Sequence, residues 1–100
     1  KESAADIKNP GAEGIVASDI SVYPNPVVEN SFKINFTNRI DNYNVQLINA
    51  NGQVVLNRKI EVKEKLFSES IPVNKYSAGY YTLVLTGEKG TKVTRAIVIQ

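Results

Sequence analysis

Phe32-Lys33-Ile34-Asn35-Phe36-Thr37 alternates apolar and polar residues without interruption. Successive side chains of an extended strand project to opposite faces, so Phe32, Ile34 and Phe36 share one face while Lys33, Asn35 and Thr37 share the other. That is a strand with one face in a core and one in water. Further along, Val45 and Leu47 alternate with Asn44 and Gln46 in the same way. Asn49-Ala50-Asn51-Gly52 then closes a hairpin into Gln53 to Lys59. Either Asn51-Gly52 is a two-residue type I′ turn, or Gly52 is the left-handed residue of a type I turn with a G1 bulge. Asn49 suits the first position of a type I turn and favours the bulge.

Phe67, Glu69 and Ile71 form the next alternating run, stopped by Pro72, and Val73 to Ala78 reads as a loop. Tyr80 to Leu85 is apolar on both faces and is expected to be a central strand. Gly87-Glu88-Lys89-Gly90 is a turn, and Lys92 to Gln100 is the last strand. Upstream, Ile20 to Tyr23 is a short first strand that ends in Tyr23-Pro24-Asn25-Pro26. Two prolines remove two backbone donors and fix two φ angles, so this segment is a rigid corner. About seven short strands separated by regular turn signals, with no helical period, predict an all-β fold. The expected form is a small antiparallel β-sandwich, immunoglobulin-like with Greek-key connections. It lacks the Cys-Trp-Cys core of antibody domains, since the chain has no Cys or Trp. Residues 1–18, rich in Ala, Gly, Ser and charge, read as a linker, and residues 19–100 as one domain.

The same composition excludes most chemistry. Without His or Cys, no Ser-His-Asp or Cys-His arrangement can be assembled, and the usual zinc ligand sets are absent. The glycines fall in turns between strands, where they cannot open a phosphate-cradling helix. Glu61, Glu64 and Glu69 are scattered strand charges and not a hydrolytic pair. Asn38-Arg39-Ile40-Asp41-Asn42 reads as a polar turn and not a calcium cage. Twelve basic and ten acidic residues are interleaved, net +2, without the one-sided stripe of a nucleic-acid binder. The run from Lys59 to Lys65 alternates charge and hydrophobicity as a solvated strand face would. The longest apolar runs are far too short to span a bilayer, so no membrane insertion is expected. No signal peptide opens the chain, and an exported precursor is expected to carry one upstream. No enzymatic activity and no cofactor or metal are expected of the domain.

Four landmarks remain in order: Tyr23-Pro24-Asn25-Pro26; Asn51-Gly52-Gln53-Val54-Val55; Tyr76-Ser77-Ala78-Gly79-Tyr80-Tyr81; and Lys92-Val93-Thr94-Arg95-Ala96-Ile97-Val98-Ile99-Gln100. From Ile20 to Gln100 this set resembles the type A C-terminal sorting domain of the type IX secretion system. The resemblance implies a transport address on an extracellular cargo of a Gram-negative bacterium. The precursor would pass through the periplasm, meet the outer-membrane translocon and its accessory proteins, and reach the cell surface or the medium. A sortase-like cysteine peptidase would remove the domain and anchor the cargo at the surface. Pro24, Asn25, Pro26, Gly52, Gly79, Tyr80, Arg95, Ile97 and Val98 match the family's motifs and are the candidate signal residues. Arg95 stands where the family often carries Lys, which keeps the charge but not the compact ammonium.

The cut is expected between Ala12 and Asp19, where small residues leave the backbone accessible. Gly52 is expected to serve the turn. Gly79 is expected to be small so that a neighbouring strand or loop can approach. Tyr80 and Tyr81 face opposite sides, one in the core. If the last strand is an edge strand, it could pair with a receptor sheet or form an edge-strand dimer. The rival readings are a carbohydrate-binding or fibronectin-like accessory module, and a machinery component that keeps its sorting domain.

Overall fold

Each apolar alternation becomes a strand with one buried face. The computed structural model describes residues 19–100. The linker read at residues 1–18, and with it most of the expected cleavage stretch, lies outside the described residues. The strands are β1 (Ile20–Tyr23), β2 (Ser31–Thr37), β3 (Asp41–Ile48), β4 (Val54–Val62), β5 (Leu66–Pro72), β6 (Gly79–Gly87) and β7 (Lys92–Ile99). They form a three-stranded sheet of order β1-β2-β5 and a four-stranded sheet of order β4-β3-β6-β7, antiparallel throughout. The chain changes sheet between β2 and β3, between β4 and β5, and between β5 and β6, which is the expected immunoglobulin-like Greek key.

Phe32, Ile34, Phe36 and Ile71 of the smaller sheet meet Val45, Leu47, Leu83, Leu85 and Ile97 of the larger one in a core from which water is excluded. Tyr80 to Leu85 lies in β6, between β3 and β7, the central position expected, while its outer face, Tyr80, Thr82 and Val84, is only partly covered. The Asn49–Gly52 turn is the bulged form. Gly52 N–H donates to Asn49 O at 3.0 Å, Asn49 N–H donates to Gln53 O at 2.9 Å, and Gly52 sits at φ 85°. The side chain of Asn49 tightens it further, accepting from Asn51 N and Gln53 N. The β6–β7 turn repeats the pattern, with Gly90 N donating to Gly87 O and Gly87 N to Thr91 O.

The charged run Lys59–Lys65 is not a wholly solvated face. Ile60 and Val62 continue the inward face of β4 and are buried, so the strand runs three residues beyond Lys59. At the other end of the strand the register slips at Leu47/Ile48, a β-bulge beside the turn. Two of the sheet crossings are pinned by tyrosines. Tyr81 Oη donates to Ser77 O at 2.7 Å and Tyr43 Oη to Arg39 O at 2.9 Å, each four residues back along the chain. The first is the tyrosine corner of immunoglobulin-like sandwiches, placed at the start of β6. On the β4/β5 side, Arg58 reaches from the inner face of one sheet to Glu69 of the other.

Candidate functional site

The Tyr23-Pro24-Asn25-Pro26 corner does more than turn the chain. β1 is the edge of the smaller sheet and β7 the edge of the larger, and residues 24–27 cross from one to the other. Both prolines follow cis peptide bonds. Between them the Asn25 carboxamide acts as a piece of strand backbone. Its Nδ2 donates to Ala96 O at 2.7 Å, and its Oδ1 accepts from Val98 N at 3.0 Å. Val27 completes the pairing as a parallel bridge to Ile99, donating its N–H to Val98 O at 2.7 Å and accepting from Gln100 N at 2.9 Å. The Val27 side chain is wholly buried, so the strap is anchored in the core while Pro24, Asn25 and Pro26 remain exposed.

Three of the four landmarks meet here. In the β6–β7 register Gly79 stands opposite Ile99, and Tyr80 opposite Val98. Tyr80 lies on the outer face of the larger sheet with 74% of its surface exposed, while Tyr81 is in the core, as the alternation requires. Val98 and the exposed Ala96 lie on that same outer face, beside the strap. Arg95 projects the other way, along the inner rim, and its guanidinium donates to Ile20 O of β1 at 3.3 Å and to Thr94 O at 3.1 Å. It therefore ties β7 to β1, as Arg58 ties β4 to β5. Ile97 is fully buried, so a partner meeting the folded domain cannot touch it. Gly52 belongs to the β3–β4 turn, across β3 and β6 from the last strand.

The structure corrects two of these readings. Gly79 is not small to admit a neighbour, because a Cβ built there would meet nothing within 4 Å. Its φ of 152° is what demands glycine. The last strand is indeed an edge strand, but its outward backbone over Ala96–Gln100 is already occupied by Asn25 and Val27. Main-chain addition of a receptor strand at that stretch cannot occur while the strap is seated. Val27 was missed. Its signal is slight: the first of two valines after a Pro-X-Pro corner, the second of which is exposed.

The site's electrostatics are mild. Asp19 and Arg39 pair at 2.9 Å near the start of β1. Away from the strap, burial pushes the Tyr43 phenol above its usual range, with the Asp41 charge adding to the effect. Asp41 itself accepts from the backbone N–H of Asn42 and of Lys89, which holds the β6–β7 turn against β3. Among the described residues no cluster of carboxylates could hold a metal ion, and no helix is long and apolar enough to cross a membrane. The site offers shape, exposed prolines and an aromatic ring.

A search of curated proteins finds no match to the chain. A family model described as a secretion system C-terminal sorting domain matches residues 21–100, from the second residue of β1 to the last residue of the chain. That match favours sorting over a carbohydrate-binding accessory role. The chain belongs to this family of type IX sorting domains, which engage the secretion machinery and direct their passengers to the cell surface or beyond it.

Proposed function

We propose that the surface read by the machinery is the corner where the strap meets β6 and β7. Its exposed residues are Pro24, Asn25, Pro26 and Tyr80, with Ala96 and Val98 beside them. The observation that carries this is the doubly bonded Asn25. It brings a landmark from the start of the domain onto the last strand, across a sequence separation of 71 residues. Three segments far apart in the chain form one surface only when the sandwich is folded, so the signal is a property of the folded domain. In this reading Gly79, Arg95 and Ile97 shape and hold that surface without being touched by a partner, and Gly52 serves its own turn. The match of the ordered landmarks supports the type A subclass.

The domain performs no catalysis and takes no cofactor. Its passenger crosses the periplasm, and a sortase-like cysteine peptidase cuts between Ala12 and Asp19, a stretch supplied with Gly14, Ala17 and Ser18. The test is a fusion of the whole chain behind an exported fluorescent protein in a strain with a working type IX system. Secretion with loss of about the domain's mass supports sorting and removal. Secretion at full mass supports a domain that is retained. A passenger left in the periplasm contradicts the proposal.

A further inference from the structure

Two arginines grip the chain where it enters β1. Asp19 precedes the strand, and Ile20 is its first residue, buried and paired with Phe36. Arg39, from the crossing between β2 and β3, holds the Asp19 carboxylate at 2.9 Å. Arg95, from β7, donates to the Ile20 carbonyl at 3.3 Å. Neither is a loose surface charge. The backbone carbonyl of Arg39 accepts from Tyr43 Oη, and its side chain is only 16% exposed. Its Nε is buried, and no acceptor among the described residues meets it, so the guanidinium depends on Asp19 for compensation. Arg95 is fixed a second time by Thr94 O. The carboxylate of one residue and the carbonyl of the next are thus held from two different elements.

We propose that Arg39 and Arg95 clamp the Asp19–Ile20 junction, and that the clamp sets where the domain is cut from its passenger. This rests on the reading that a peptidase removes the domain. A peptidase cleft takes an extended segment by its main-chain groups, on both sides of the bond it breaks. At the junction those groups are engaged: Ile20 is paired in the sheet, its carbonyl accepts from Arg95, and Asp19 is tied to Arg39. The junction therefore cannot enter a cleft while the clamp is closed. Val16, Ala17 and Ser18 fill the domain's side of the cleft, and the cut falls between Ala12 and Val16. The amide C–N bond breaks there. The passenger's carbonyl goes to the peptidase thiol and then to water or the anchoring nucleophile, and the domain leaves with the amine and its proton. Arg39 and Arg95 are positioning residues for this step and touch none of the reacting atoms.

Thermolysin cuts before large aliphatic residues, and Ile15, Val16 and Ile20 offer it bonds on both sides of the proposed boundary. Under native conditions the wild-type chain is expected to be trimmed to a domain that still carries Asp19. Arg39→Gln and Arg95→Gln are each expected to speed cutting of the Asp19–Ile20 bond about tenfold or more, leaving a domain that starts at Ile20. Arg39→Lys keeps a cation for Asp19 and is expected to restore most of the protection. Arg58→Gln opens the comparable tie between β4 and β5 and is expected to leave the junction as resistant as in wild type. A wild-type chain cut before Ile20 as fast as before Val16 overturns the clamp, and so do folded Arg39→Gln and Arg95→Gln chains that resist as wild type does. Equal opening by Arg58→Gln also overturns it, since the cut would then come from the unfolded chain. If one of the two glutamine variants does not fold, the other decides. In cells, the last residue of the released passenger, read by mass, is expected to lie from Ala12 to Ile15, and a passenger ending at Val16 or later overturns the boundary. A domain never removed in cells contradicts the removal itself, and thermolysin tests the clamp apart from it.

Discussion

Tyr81→Phe removes one hydroxyl and nothing else. Tyr81 is only 8% exposed, and its ring stays in place near Tyr76 at a centroid distance of 6.3 Å. What is lost is the 2.7 Å bond to Ser77 O that fixes the crossing from β5 into β6. A net intramolecular hydrogen bond is worth about 0.5–1.5 kcal/mol, with a further penalty when the abandoned partner stays dry. Ser77 is exposed, so its carbonyl turns to water and that penalty is small. The expected cost is therefore about 1 kcal/mol. For a domain of this size that lowers Tm by about 4–8 °C. With a urea m-value of about 1–2 kcal/mol/M, the midpoint falls by about 0.5–1 M. Far-UV circular dichroism during urea titration suits a chain without Trp. An unchanged midpoint at unchanged m-value would refute the assignment of this tyrosine as a corner pin. So would a loss of more than about 3 kcal/mol, which would mean that the ring had moved.

Three further outcomes follow from the same geometry. The Tyr43 phenol is raised from 10.0 chiefly by burial, so its contribution to stability is complete below pH 10 and is lost as pH rises through the higher folded value. Stability measured from pH 8 to 12 should fall at the alkaline end, and Tyr43→Phe should flatten that fall. Gly52→Ala should cost about 1–2 kcal/mol for its left-handed backbone, although its Cβ would meet nothing, and Gly52→Asn should cost less. Equal costs by urea titration would deny the backbone origin. Gly87→Ala has the opposite cause: its Cβ would stand 2.5 Å from Asp41 Oδ2 and 3.1 Å from the Tyr43 ring. Displacing that carboxylate from Lys89 N should cost about 1–3 kcal/mol. It should also broaden or shift the Lys89 amide resonance, and an undisturbed resonance would contradict it.

The strands could be read from the sequence because burial on one side of a sheet leaves a local record at period two. Phe32, Ile34 and Phe36 needed no knowledge of their partners to be placed on the inner face. The Asn49–Gly52 turn was equally local, since its bonds close within five residues. The strap was not. A Pro-Asn-Pro corner announces rigidity, but nothing near Asn25 says that its amide will meet Ala96 and Val98, which lie more than 70 residues away. Gly79 misled for a related reason: a glycine kept for its φ and one kept for space look identical until the surrounding atoms are known. The charge of Arg95 was visible, but its target, a backbone carbonyl on β1, depends on how the two sheets close. Tyr43 and Tyr81 showed only as aromatics early in a strand, with their hydroxyl partners hidden in the crossings.

The most direct test compares two apolar residues of equal exposure on opposite sheets. Tyr80 beside the strap and Leu66 at the start of β5 are both 74% exposed, and changing either to Ser should leave the fold intact by circular dichroism. Secretion of a fluorescent passenger should fall sharply with Tyr80→Ser and stay at the wild-type level with Leu66→Ser. Equal secretion of the two, or a loss confined to Leu66→Ser, would contradict recognition at the corner of the strap, β6 and β7.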